Sequence, residues 1–277
     1  MVEVREWSRS DTARYLRRPT ADDDKYSRGV VALRTGSEAY PGAAVLGVEA
    51  AWRAGAGFVR FVGDRRVADA VLARRPETVT GSDVGRTRVD AWVIGSGTDA
   101  ESRSADEERA LRALLTGTTR VVADAGALDL VDRASAHVLL TPHGGEFSKL
   151  RARLRLAAAD GDRAAGAAEV ARALGVTVLL KGARTLIAAP DGGAIAVDAG
   201  TGWLATAGTG DVLGGVLGAL LAANPTAPLE EAAAAGAWLH GYAARIASGT
   251  ANGEPGHPIV ASDVAQALPR AIADVLA

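Results

Sequence analysis

The sequence predicts an α/β protein built on a mostly parallel central sheet, with helices on both faces and a hairpin late in the chain. Two observations carry this. Short apolar runs alternate with helical patterns along most of the chain, which implies a parallel sheet covered on both sides. Near residue 185 the alternation stops. Two short runs then flank Pro190-Asp-Gly-Gly193, the mark of a hairpin, and mostly helices follow.

The elements follow in order. Val30–Leu33 reads as a short strand that ends at Thr35-Gly36-Ser37. Residues 43–54 have helical spacing and lead through Gly55-Ala-Gly57 into a strand at Phe58–Val62. Ala91–Ile94 is a buried strand that stops at Gly95-Ser96-Gly97, and 104–115 is helical. Arg120–Ala123 is a strand ending at Asp124, and His137–Leu140 one ending at Thr141-Pro142. A helix over 162–174 leads into a strand at Val176–Leu180, which ends at Lys181-Gly182. The hairpin pairs Thr185–Ala188 with Ala194–Val197. Helices are expected at about 209–223, 229–247 and 262–276. Asp22–Lys25 reads as a charged loop and 249–257 as a glycine-rich one. No internal repeat or long polar linker marks a domain boundary.

Composition narrows the function. A chain of 277 residues, 48% hydrophobic, fits one large domain. A net charge of −2 gives no electrostatic case for nucleic acid or an anionic membrane. There are no cysteines, so disulfides, thiolate nucleophiles and cysteine-held metals are excluded. The four histidines, at 137, 143, 240 and 257, are too scattered to suggest zinc. The N-terminus is charged, and no apolar run approaches the length of a membrane span, so a cytoplasmic protein is expected. Lysine occurs only at 25, 149 and 181, while arginine supplies most of the positive charge.

The chemistry concentrates at Gly208-Thr209-Gly210-Asp211, just ahead of an apolar helix. Two glycines permit a turn that brings backbone N–H groups up to a ligand, and the helix dipole favours an anion there. A carboxylate beside a phosphate site is costly unless it takes a proton or holds a cation. Alone, the four residues fit better a helix start with an acid completing the dipole. The context is richer. Ligands bind beyond the carboxyl ends of strands in an open parallel sheet. Those ends here read Thr35-Gly36-Ser37, Gly95-Ser96-Gly97, Asp124, Thr141–Glu146 and Lys181-Gly182. Together they describe a cleft for a large, polar, phosphate-bearing ligand. No Walker motif, dinucleotide fingerprint after the first strand, or GxSxG elbow is present.

In series these motifs resemble the ADP-dependent NAD(P)H-hydrate dehydratases of the ribokinase-like superfamily. The landmarks run from Lys25-Tyr-Ser-Arg-Gly29 through Gly36-Ser37, Pro41-Gly-Ala-Ala44 and Arg53-Ala-Gly-Ala-Gly57. Ile94-Gly-Ser-Gly97, Asp124-Ala-Gly-Ala-Leu128, Thr141-Pro-His-Gly-Gly-Glu-Phe147 and Leu180-Lys-Gly-Ala-Arg-Thr185 follow. Ala205-Thr-Ala-Gly-Thr-Gly-Asp211 and His240-Gly241 complete them. The resemblance implies a ribokinase-like three-layer fold. It also implies one dehydratase domain over 1–277, with 1–24 an extension of it, and no epimerase domain. The activity implied is repair of nicotinamide cofactors hydrated at C6. ADP drives loss of the hydroxyl, giving NADH or NADPH with AMP and phosphate.

Residue by residue, the resemblance makes Asp211 the base for the C6 hydroxyl. Ala43, Gly97 and His143 would line the hydrated-cofactor site with it. Gly208, Thr209 and Gly210 would cradle the transferring phosphate. Lys181, Gly182, Ala183, Arg184 and Thr185 would contact the nucleotide. Glu146 falls where a carboxylate lies near Mg2+ and its waters. The partners implied are hydrated NADH or NADPH and ADP, a homo-oligomer such as a tetramer, and a functional link to a separate NAD(P)H-hydrate epimerase. Three positions depart from the family pattern. Gly200-Thr-Gly-Trp203 replaces Gly-Asn-Pro-Gly, Gly95-Ser-Gly-Thr-Asp99 replaces Gly-Pro-Gly-Leu-Gly, and Gly144 replaces a proline. Two other readings share the glycine–aspartate turn: a kinase of a small alcohol such as a hydroxymethylpyrimidine-type vitamin precursor, and a nucleotide-binding protein without catalysis.

Overall fold

Apolar residues alternate along the strands between two sets of partners, and that alternation builds the layers. In the strand Val30–Arg34, Val31 and Leu33 join one core, while Ala32 joins the other. Ala91 and Val93 likewise face away from Trp92 and Ile94 in Ala91–Ile94. Successive side chains point to opposite faces, so both faces of the sheet are covered.

The computed structural model describes residues 2–135, 137–157 and 161–277. Its strands are β1 (Val4–Glu6), β2 (Val30–Arg34), β3 (Phe58–Val62), β4 (Val79–Gly81), β5 (Ala91–Ile94), β6 (Arg120–Ala123), β7 (Val138–Leu140), β8 (Thr177–Leu180), β9 (Thr185–Ala188) and β10 (Ala194–Val197). They form one sheet in the order β1-β10-β9-β8-β7-β6-β5-β2-β3-β4. Only β9 runs against the rest, pairing antiparallel with β8 and β10.

The helices are α1 (Arg9–Ala13), α2 (Pro41–Arg53), α3 (Arg65–Arg74), α4 (Ala105–Leu115), α5 (Gly144–Arg153), α6 (Arg163–Leu174), α7 (Thr209–Ala223), α8 (Leu229–Ala247) and α9 (Ala261–Leu276). Residues of α2, α7, α8 and α9 share one core with the sheet, and those of α4, α5 and α6 share the other. The glycines of α7 let it approach α2 closely: a Cβ on Gly215 would lie 2.2 Å from the Gly47 carbonyl oxygen. That contact fixes the helix that carries Asp211.

The alternation and the hairpin are as the sequence predicts. The additions are β1, β4, α1, α3, α5 and 3-10 stretches at Ala125–Arg133, Gly202–Leu204 and Thr250–Asn252. No helix among the described residues is long and apolar enough to cross a membrane.

Candidate active site

Because β2, β5, β6, β7, β8 and β10 run the same way, the residues that follow them emerge along one edge of the sheet. Backbone pairing continues past the strands there. The Lys181 N–H donates to the Pro142 carbonyl at 2.9 Å, and the Thr141 N–H to Ala123 at 3.1 Å.

Asp211 lies in the first turn of α7. Gly208 caps that helix in the left-handed region at φ 88°, a conformation costly for any residue with a Cβ. Gly210 is helical, so its role is space: a Cβ there would come within 3.7 Å of Lys181 Nζ. The Thr209 hydroxyl donates at 3.1 Å to the Leu204 and Thr206 carbonyls, tying the incoming segment to the turn.

Ser96 donates its hydroxyl to Asp211 Oδ1. Burial raises the Asp211 pKa. The Ser96 hydrogen bond opposes the rise, Asp124 adds to it, and Lys181 opposes it. Lys181 Nζ stands 2.8 and 3.1 Å from the two Asp124 oxygens and 3.9 Å from Glu146 Oε2. One cation is thus shared by acids from the ends of β6 and β7 and faces the glycine turn. Neither Ser96 nor Asp124 is assigned a role by the sequence, although both stand at strand ends.

His143 and Glu146 begin α5 as a capping box. His143 Nδ1 accepts from the Gly145 N–H at 3.0 Å, and Glu146 Oε2 accepts from the His143 N–H at 2.8 Å. This reciprocal cap compensates a start of two glycines, which are poor helix formers.

A cavity of about 700 Å3 opens beside the turn. Lys181, Gly182, Ala183, Thr185, Thr209, Gly210 and His143 line it. The side chain of Arg184 instead pairs with Glu6. The loop is held from behind by Arg163, which donates to the Lys181 carbonyl at 3.0 Å and the Arg184 carbonyl at 3.1 Å. Ala43 and Gly97 pack on each other, and a Cβ on Gly97 would meet Ala43 Cβ at 2.3 Å. Of the residues the sequence groups for the hydrated cofactor, His143 therefore stands on the cavity of the nucleotide residues, apart from Ala43 and Gly97. Trp203 donates its indole N–H to the Pro255 carbonyl at 3.1 Å and so anchors the glycine-rich loop. His240, on α8, also lines the cavity and is buried.

No group of three or more metal-ligating side chains occurs among the described residues. Glu146 alone fits Mg2+ all the same, because this ion keeps several waters and is held through one or two carboxylates and the substrate's phosphates.

Fold and site together define a protein of ribokinase-like fold, with a glycine turn and a half-buried carboxylate at the start of α7, beside a large cavity. A family profile described as NAD(P)H-hydrate dehydratase matches residues 31–263, and the chain belongs to that family. It is 43% identical over 224 residues to the bifunctional NAD(P)H-hydrate repair enzyme Nnr of Mycobacterium tuberculosis, covering 78% of this chain and 45% of that one. It thus spans about half the length of the bifunctional relatives. It is 37% identical over 241 residues to the ADP-dependent (S)-NAD(P)H-hydrate dehydratase of Neisseria meningitidis, covering 81% of this chain and 79% of that one. The ADP/ATP-dependent NAD(P)H-hydrate dehydratase of Bacillus subtilis, crystallised with ATP and Mg2+, superposes with a TM-score of 0.83 at 28% identity, covering 99% of each chain.

Proposed function

We propose that this chain dehydrates the (S)-hydrates of NADH and NADPH at the expense of ADP. The observation that carries the reading is Asp211, half-buried at the glycine turn, hydrogen-bonded by Ser96 and near Lys181 beside the large cavity. The nucleotide occupies that cavity, its terminal phosphate against Gly208–Gly210. Asp211 takes the proton of the C6 hydroxyl as the oxygen attacks that phosphorus, and AMP leaves. The phosphate ester then eliminates: the C6–O bond breaks, phosphate departs and C5 loses a proton, restoring the ring double bond. The Lys181 ammonium and the α7 N-terminus balance the charge that builds on the phosphoryl oxygens. Glu146 would hold Mg2+ through water, and the ion would neutralise further phosphate charge.

Ser96 and Lys181 keep the Asp211 proton affinity from rising further. An (S)-specific dehydratase works best beside an epimerase that converts the other epimer, and a cytoplasmic homo-oligomer is the setting we infer. The test supplies purified protein with hydrated NADH and either ADP or ATP, and follows the return of reduced-nicotinamide absorbance. Turnover with ADP at least matching that with ATP supports the reading. Absence of turnover with both nucleotides sinks it.

A further inference from the structure

A second cavity of about 540 Å3 lies on the far side of Glu146. Its lining begins at Tyr40 and Thr98, beside Gly97, and runs along α5 through Glu146, Lys149 and Arg153. Thr98, at one end, lies two residues past Ser96, the partner of Asp211. The nucleotide cavity is lined by other residues, among them Gly182, Ala183 and Thr185, and the two cavities share none. A dinucleotide with its nicotinamide ring at Asp211 has this second groove open for its remainder.

One end of the groove carries two cations. Lys149 and Arg153 are four residues apart on α5, hence on one face of the helix. Both are exposed and neither has an ion-pair partner among the described residues. The chain spends one of its three lysines here. The groove also carries three acids, Asp99, Asp129 and Glu146. Asp129 is paired with Arg103, Asp99 accepts the Glu101 N–H at 3.0 Å, and Glu146 closes the capping box at the opposite end. Leu128 and Leu150 give the groove an apolar side. From Glu146 to Arg153 the helix advances about 10 Å, an extension within reach of a dinucleotide's adenosine half.

We infer that this groove takes the adenosine end of the dinucleotide, and that Lys149 and Arg153 seat its 2′-phosphate, so that the NADPH form is favoured over the NADH form. The inference rests on the reading of the chain as a hydrate dehydratase. An arginine fork and a lysine point charge are the usual partners of such a phosphate.

The test needs no turnover. With saturating ADP in the first cavity, the binding of NADP+ and NAD+ to the full chain is measured by calorimetry. NADP+ is expected to bind about tenfold more tightly. In K149Q/R153Q that advantage should shrink to within about twofold, and more salt should shrink it in the wild type. Glutamine is a good helix former, so α5 should persist. The single variants K149Q and R153Q should each give an intermediate loss, which keeps the test readable if the double variant folds poorly. Equal binding of the two dinucleotides by wild type, or an advantage that survives both substitutions, overturns the subsite. If hydrates are turned over but NADP+ has no advantage, the subsite falls and the dehydratase reading stands. If NADP+ is favoured through these two residues but no hydrate is turned over, the subsite stands and the dehydratase reading falls.

Discussion

The Ser96 hydroxyl donates to Asp211 Oδ1, joining the loop after β5 to the first turn of α7. This bond sets the orientation of the proposed base and works against the effect of burial on its proton affinity. Asp211→Asn keeps the shape and retains an oxygen for Ser96, but cannot accept the substrate's proton. We expect turnover to fall by about 10²–10⁴-fold. We also expect a higher Tm. Folded Asp211 holds its proton to higher pH than the unfolded chain does, so its charge costs stability above that raised pKa, and the amide removes the cost. A loss of rate below tenfold would return Asp211 to a helix-terminal role.

Ser96→Ala removes one of the two influences that hold the Asp211 pKa down. The base then protonates at higher pH, and the acid limb of the kcat profile should move upward. The rate above that limb and the KM for ADP should change less. The measurement is a pH–rate profile of both proteins with saturating substrates. An unmoved limb would mean that another group sets it.

Gly210→Val fills the space between the turn and Lys181, where a Cβ meets only Lys181 Nζ at 3.7 Å and Asp124 Oδ2 at 3.9 Å. Because Gly210 is helical and valine is a better helix former than glycine, the substitution should cost the fold no helix propensity. Nucleotide-dependent turnover should fall by at least about tenfold, since branched methyls occupy the place assigned to a phosphate oxygen. Full activity with intact stability would show that no phosphate approaches this turn.

His143 does two things in the structure, and substitutions can separate them. Its Nδ1 caps α5, and its ring lines the large cavity. His143→Ala should cost about 0.5–2 kcal/mol in chemical denaturation through the lost cap. His143→Asn should recover most of that, because asparagine is itself a preferred cap. The Michaelis constants should rise in both variants if the imidazole meets a ligand. A constant restored along with stability by Asn would make His143 a capping residue only.

The strand ends were legible because they break apolar runs with small and polar residues, as at Ile94-Gly95 and Leu180-Lys181. What was hidden follows from how each element is stabilised. β1 is Val4-Arg5-Glu6, without an apolar pattern, and it exists through parallel pairing with β10, far along the chain. β4 is an equally short strand at the other edge. α5 begins with Gly144 and Gly145, which argue locally against a helix, and the His143–Glu146 box decides otherwise. In the site, the glycine turn and Asp211 are contiguous and could be read directly. The Lys181–Asp124 pair joins residues 57 apart, and only the sheet order, which sets the ends of β6 and β8 on either side of β7, brings them together. His143 illustrates the converse. A motif marks it as important but does not say which ligand's cavity it faces.

His240 offers a test of burial at the cavity wall. Its side chain is enclosed, and Nε2 has no hydrogen-bond partner. Burial pushes its pKa down from the ordinary 6.5 to about 4, with the Thr209 backbone opposing the shift. The unfolded chain therefore takes up this proton at a higher pH than the folded one. The stability tied to the neutral ring is complete above pH 6.5 and is lost as pH falls toward 4, at about 1.4 kcal/mol per pH unit. His240→Gln has no such titration. The carboxylates that weaken both proteins in acid cancel when the two are compared. Unfolding free energies measured from pH 7 to 4 should thus shift in favour of the variant by on the order of 3 kcal/mol. Parallel curves would mean that His240 takes up its proton at the same pH folded and unfolded, which requires water or a charge partner at Nε2.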